Sequence, residues 1–227
     1  MSDQLALAAL THTLRVVLSD AIAEPVPGAS VTVGPPAAEA GGAAHSSRVN
    51  LFLLRTRPNA AWRNADVVDV VPEQPGARSF DRRSVLPLDV QYLVSFYGDA
   101  AQLVPERLYG VAASLLHRSP RLTVQDVTGA LATSPALQAS GLARDIAERQ
   151  PVRLSALDLD LEELSRLWGL FPQVPYAPSM VVEASVLLIQ PDAPRTSRAV
   201  RDVVVSAGTL PDSADTDTDT AASGGAR

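Results

Sequence analysis

The densest set of groups that could do chemistry is the acidic run Asp158, Asp160, Glu162 and Glu163. Paired carboxylates can serve as general acid and base, or can hold a hard cation. Here the acids alternate with Leu157, Leu159 and Leu161, which turns them to solvent, and they stand where a helix is expected to begin. Capping and the helix dipole account for them. A hydrolase built on these four is the last of the three readings weighed below.

The three histidines, His12, His45 and His117, share no spacing that would make a metal pair. His12 lies beside the apolar stripe of the first expected helix and His45 lies in a Pro/Gly/Ala loop. His117 falls in the last turn of another helix, where a cation suits the dipole. Cysteine is absent, which excludes disulfides, thiolate chemistry and Cys-ligated zinc. There is no G-x-S-x-G elbow, no Walker sequence and no G-x-G-x-x-G fingerprint. The D-T-D-T-D-T run at 215–220 lacks the turn glycine and ligand spacing of a calcium loop. No catalytic residue, metal site or cofactor is assigned. A net charge of −6 argues against a general nucleic-acid binder. Much of that charge sits in Asp212, Asp215, Asp217 and Asp219, and every basic residue is arginine.

The elements that would position these residues follow from periodicity. Residues 3–23 carry Leu7, Leu10, Leu14, Val17 and Ala21 at helical spacing, widened by Leu18 and Ile22, and end at Pro25, Pro27 and Gly28. Residues 30–33 are expected as a short strand. Residues 48–56 are expected as a central strand, apolar on both faces. The clearest strand is 86–97, where Leu86, Leu88, Val90, Tyr92, Val94 and Phe96 alternate with a mixed face. Helices are expected over 105–118 and 123–132 and from 160 onward, the last with Leu161, Leu164, Leu167 and Trp168 as its apolar face. Residues 136–148 are ambiguous. Strands are expected over 152–157, 179–190 and, at an edge, 199–207.

The sum is one α+β domain over residues 1–208, a mixed sheet of about four to six strands flanked by helices. Mobile loops are expected at about 34–47 and 71–84, and a disordered acidic tail over 209–227. Neither a signal peptide nor an apolar run of membrane-spanning length is expected.

Four segments carry more than their periodicity. They are 49–64 (VNLFLLRTRPNAAWRN), 86–98 (LPLDVQYLVSFYG), 108–120 (LYGVAASLLHRSP) and 161–189 (LEELSRLWGLFPQVPYAPSMVVEASVLLI). In this order they resemble the N-terminal domain of the cap, or tail-terminator, protein of contractile injection systems. The resemblance implies a structural protein, not an enzyme, forming a homohexameric ring that caps tube and sheath and ends their polymerisation. Its implied partners are copies of itself and the sheath and inner-tube subunits, with no nucleic acid and no direct membrane insertion. Its implied location is the cytoplasm during assembly, then the particle. The 34–47 loop is longer and blander than a rigid interface element, and the acidic tail shows no further domain.

Asn59, Trp62, Arg63 and Asn64 leave the first central strand as a polar-aromatic turn, and Trp and Arg are enriched among interface anchors. They are the candidate interface. In the alternative, Trp62 folds back on the core and the asparagines satisfy turn backbone. Within the same particle, a tail-completion or tube–sheath connector role fits as well. A small-ligand or carbohydrate-binding module is the reading from another class, although aromatics make up only 4% of the chain, thin for stacking platforms.

Overall fold

The structure is a computed structural model. It describes residues 3–37, 46–62, 67–72, 78–83, 85–148, 150–189 and 195–198. The expected 199–207 strand and the 209–227 tail lie outside the described residues, as does most of the 34–47 loop.

Alternating β-branched and aromatic residues build a five-stranded mixed sheet. Its members are β1 (Ser30–Val33), β2 (Arg48–Pro58), β5 (Leu86–Tyr97), β6 (Arg153–Leu157) and β7 (Ser179–Ile189), in the order β1-β2-β5-β7-β6. β1 runs parallel to β2 and the other pairs are antiparallel. A smaller three-stranded antiparallel sheet joins β3 (Val67–Pro72), β4 (Arg78–Arg83) and β8 (Arg195–Arg198). Two of these strands occupy much of 71–84, where the sequence reading has a loop. The prolines and glycine that suggested the loop, Pro72, Pro75 and Gly76, fall at or beyond the strand end. The β-branched run Val67, Val68, Val70 and Val71 precedes them and pairs with β4.

Five helices are described: α1 (Ala6–Ala23), α2 (Val104–Arg118), α3 (Val124–Ala132), α4 (Leu142–Glu148) and α5 (Leu161–Trp168). The ambiguous 136–148 stretch resolves into a 3-10 turn at Pro135–Leu137 followed by α4. Capping boxes start α3, from Thr123 and Asp126, and α5, from Asp160 and Glu163.

α1 lies over the sheet with Leu10, Leu14, Leu18 and Ile22 buried, four residues apart. They meet the β5 face formed by Val90, Tyr92, Val94 and Phe96, and Leu108 of α2 joins the same core. Each such side chain contributes about 1.5–3 kcal/mol of burial as an upper estimate. By composition α1 also has the length and mean hydropathy, 1.3, of a short membrane span. Its apolar stripe is occupied by this packing. His12 ties α1 to α3 through the Ala130 carbonyl and the Thr133 hydroxyl, both at 3.0 Å.

Tyr92 places a hydroxyl inside this core, 2.8 Å from the Thr11 hydroxyl. Burial pushes its pKa up to about 12, with the Thr11 hydrogen bond pulling the other way. The unfolded chain releases this proton near pH 10, so above that pH the unfolded state gains. Stability from Tyr92 is therefore complete below pH 10 and falls at about 1.4 kcal/mol per pH unit as pH rises toward the folded value. Urea unfolding between pH 9 and 11.5 should show this slope in the parent and lose it in Tyr92→Phe. Equal slopes would contradict it.

Candidate assembly interface

The face of the large sheet away from α1 and α2 carries a polar network that two β-bulges create. Along β2, Phe52 pairs with Leu93 and Leu53 with Tyr92, and the register then shifts so that Arg55 meets Gln91 and Arg57 meets Asp89. The extra residue, Leu54, moves Arg55 and Arg57 onto the face that strict alternation would deny them. A second shift lies between β5 and β7, where Ser185 and Val186 stand against the single residue Asp89.

The network is close-knit. Asp89 Oδ1 accepts from the Ser185 hydroxyl at 2.6 Å and from Asn59 Nδ2 at 2.7 Å, and Asp89 Oδ2 lies 3.4 Å from Arg57 Nε. Glu183 Oε2 receives Arg57 Nη2 at 2.8 Å and Gln91 Nε2 at 2.7 Å, while Arg55 Nε donates to Gln91 Oε1 at 2.7 Å. Asp89 and Gln91 are 6% and 3% exposed, so their satisfaction inside the protein matters. A serine beside a carboxylate suggests nucleophilic chemistry, but Asp89 is already shared among three donors and no histidine among the described residues joins it. The arrangement fixes side chains and does not activate one.

Asn59 is an interior link of this network. Its backbone N–H donates to the Pro87 carbonyl at 2.9 Å, and its Oδ1 accepts the Trp62 backbone N–H at 3.1 Å. Trp62 is half-buried, and Arg63 and Asn64 lie outside the described residues. The structure therefore brings Asn59 and Trp62 together through a side-chain-to-backbone hydrogen bond three residues along the chain. The acids Asp160 and Glu163 close the α5 capping box, and Glu162 pairs with Arg166 one turn on. His117 is exposed at the end of α2, and His45 lies outside the described residues. Among the described residues no group of three or more His, Asp or Glu side chains is placed to hold a metal ion. Sequence reasoning missed Arg55, Arg57, Asp89, Gln91, Glu183 and Ser185 as one unit. The only sequence signal was the mixed face of β5.

Exposed apolar side chains stand apart from the network. α5 was expected to bury Leu161, Leu164, Leu167 and Trp168, yet only Trp168 is buried. Its indole N–H donates to the Ser179 hydroxyl at 3.1 Å, and its ring meets Phe171 and Tyr176 edge-on. Leu161, Leu170 and Tyr176 are 82%, 65% and 64% exposed. At the start of α2, Leu103 is 59% exposed and holds a left-handed φ of 55°, an unusual conformation for leucine. Such residues suit protein contacts better than catalysis.

Comparison with known proteins adds a family. Residues 9–202 match the family model described as the Pvc16 N-terminal domain. No curated protein matches the sequence. Among solved structures, the chain is similar to the sheath/tube terminator, in its extended state, of PVC, an extracellular contractile injection system. That match has 11% identity and a TM-score of 0.47, and covers 86% of this chain and 62% of the other. It is also similar to the tube-terminating cap of the anti-feeding prophage, at 12% identity and a TM-score of 0.42, covering 86% of this chain and 60% of that one. The chain thus spans about three fifths of the length of either structure.

Proposed function

Because this chain belongs to the Pvc16 N-terminal domain family, we propose that it is the tail-terminator, or cap, subunit of a phage-tail-like contractile injection system. It works as an assembly part and not as an enzyme. Copies form a ring, of six by the family resemblance, that seats on the end of tube and sheath and stops their growth. The family match over 9–202 is the observation that carries this reading.

Two features support it. A ring interface is heterologous, so different surfaces of each copy must complement one another. Exposed apolar residues at α5 and at the start of α2 offer surfaces of that kind. The bulged network holds the β2 end and the turn after it in one geometry, as a rigid contact requires. We place Trp62, Arg63 and Asn64 in contact with a neighbouring subunit or the sheath, with Asn59 positioning them from behind. The subunit assembles in the cytoplasm and stays with the particle, without nucleic acid and without inserting into a membrane.

The test is addition of purified protein to sheath and tube subunits polymerising in vitro. Growth should stop at one end, with the protein found there by electron microscopy. Trp62→Ala and Arg63→Ala should raise the concentration needed by about tenfold or more, as loss of an anchor residue does, while the urea midpoint stays near the parent's. Unimpeded growth would overturn the terminator role. Full potency of both variants would overturn the interface alone.

A further inference from the structure

The outer edge of β6 carries an unusual pair. Arg121 and Arg153 lie directly opposite one another in an isolated antiparallel bridge. The bridge is framed by Leu122 N donating to the Val152 carbonyl at 3.0 Å and Leu154 N donating to the Pro120 carbonyl at 2.8 Å. Side chains so placed leave their Cβ atoms about 4.5–5.5 Å apart, and like charges there repel. Both arginines are exposed, and neither guanidinium has a hydrogen bond or ion pair among the described residues. The acids on that sheet face do not compensate them. Asp89 and Glu183 are engaged by Arg57, Asn59, Ser185 and Gln91. The two arginines line a cavity of about 320 Å³ with Gln150, Pro151 and Ser185.

We propose that Arg121 and Arg153 form a carboxylate-binding clamp whose ligand is the acidic run Asp212–Asp219 of this chain, from the same copy or a neighbouring one. Guanidinium forks are suited to carboxylates, and a carboxylate between two of them turns their repulsion into attraction. The run holds four aspartates within eight residues and no basic residue. Asp215, Asp217 and Asp219 alternate, and in an extended chain alternate side chains share one side at about 6.5 Å. That separation is within reach of both arginine side chains. Asp212 lies 14 residues beyond Arg198, a contour of up to about 50 Å. A domain of this size has a radius of gyration of about 16 Å, so the run can reach any face.

The full chain with Asp212, Asp215, Asp217 and Asp219 all replaced by Asn provides an empty clamp. A synthetic peptide of residues 209–222 is titrated onto it, with the Nε–Hε resonances of Arg121 and Arg153 followed by NMR. The peptide should saturate both resonances. It should bind the parent chain about tenfold more weakly, because the parent's own run competes. Adding R121Q and R153Q should weaken binding by about tenfold or more, the loss expected for charge-assisted hydrogen bonds. The same two changes should leave thermal stability unchanged or raise it, since they relieve a repulsion. Equal binding to the R121Q/R153Q form, or equal binding of a peptide with Asn at all four positions, would overturn the proposal. So would saturation of the two resonances by inorganic phosphate at concentrations below those the peptide needs.

Discussion

Asp89→Ala is expected to destabilise the protein by about 2 kcal/mol, the range for taking a charged acceptor away from part-buried donors. The carboxylate is nearly inaccessible and serves Ser185, Asn59 and Arg57 together. Removing it takes the charged acceptor from the part-buried Ser185 hydroxyl and Asn59 amide, leaves the amide only its longer contact of 3.4 Å to Ser185 Oγ, and opens a hole at a bulge. The contribution of Arg57 to the loss is small, because its side chain is 49% exposed and water screens it. Ser185→Ala removes one donor and should cost about 1 kcal/mol. Urea unfolding reads both, with an unchanged slope and a lowered midpoint. An Asp89→Ala loss below about 0.5 kcal/mol, the size of an ordinary surface change, would mean that the network is ornamental.

Gly98→Ala should cost a similar amount for a steric reason, about 2–4 kcal/mol. Gly98 closes β5 at φ +157°, and a Cβ built there would lie 2.4 Å from Val104 Cγ1 and 2.8 Å from Val104 Cβ. Val104 is buried at the start of α2 and cannot swing away as a long surface side chain would. The strand-to-helix turn must therefore open for the methyl group to fit. Val104→Ala removes the nearer obstruction, Cγ1, at the ordinary cost of a small core truncation, and leaves Cβ at 2.8 Å. In the double variant the two penalties should not add, with a coupling of about 1 kcal/mol or more in favour of the pair. Strict additivity would show that the Cγ1 approach does not set the cost, leaving the φ and the Val104 Cβ approach to do so.

Much of the architecture was legible because it is local. Leu10, Leu14, Leu18 and Ile22 of α1 and the alternation of Val90, Tyr92, Val94 and Phe96 in β5 mark buried faces within a few residues of chain. The capping box of Asp160 and Glu163 explains the acidic cluster that first suggested chemistry. What was not legible is non-local. A bulge at Leu54 is a property of how β2 meets β5, and no spacing within β2 announces it. Asn59 reads as a turn residue, which it is, but its bond to Asp89 crosses thirty positions of sequence. α5 shows the limit of pattern reading most clearly. Its amphipathic spacing is real, yet Leu161 remains 82% exposed. Periodicity tells that a stripe seeks a partner, not whether the partner lies in the same chain. The strands over Val67–Pro72 and Arg78–Arg83 were hidden by Pro72, Pro75 and Gly76, whose turn signals outweighed the valines before them.

The most direct test of the terminator role is the length of assembled particles. Electron microscopy would compare sheath–tube particles from cells lacking the gene for this chain with those from intact cells. The account predicts particles of abnormal or widely varying length, or none that survive isolation, with uniform length restored when the gene is returned. Particles of normal, uniform length in its absence would contradict it.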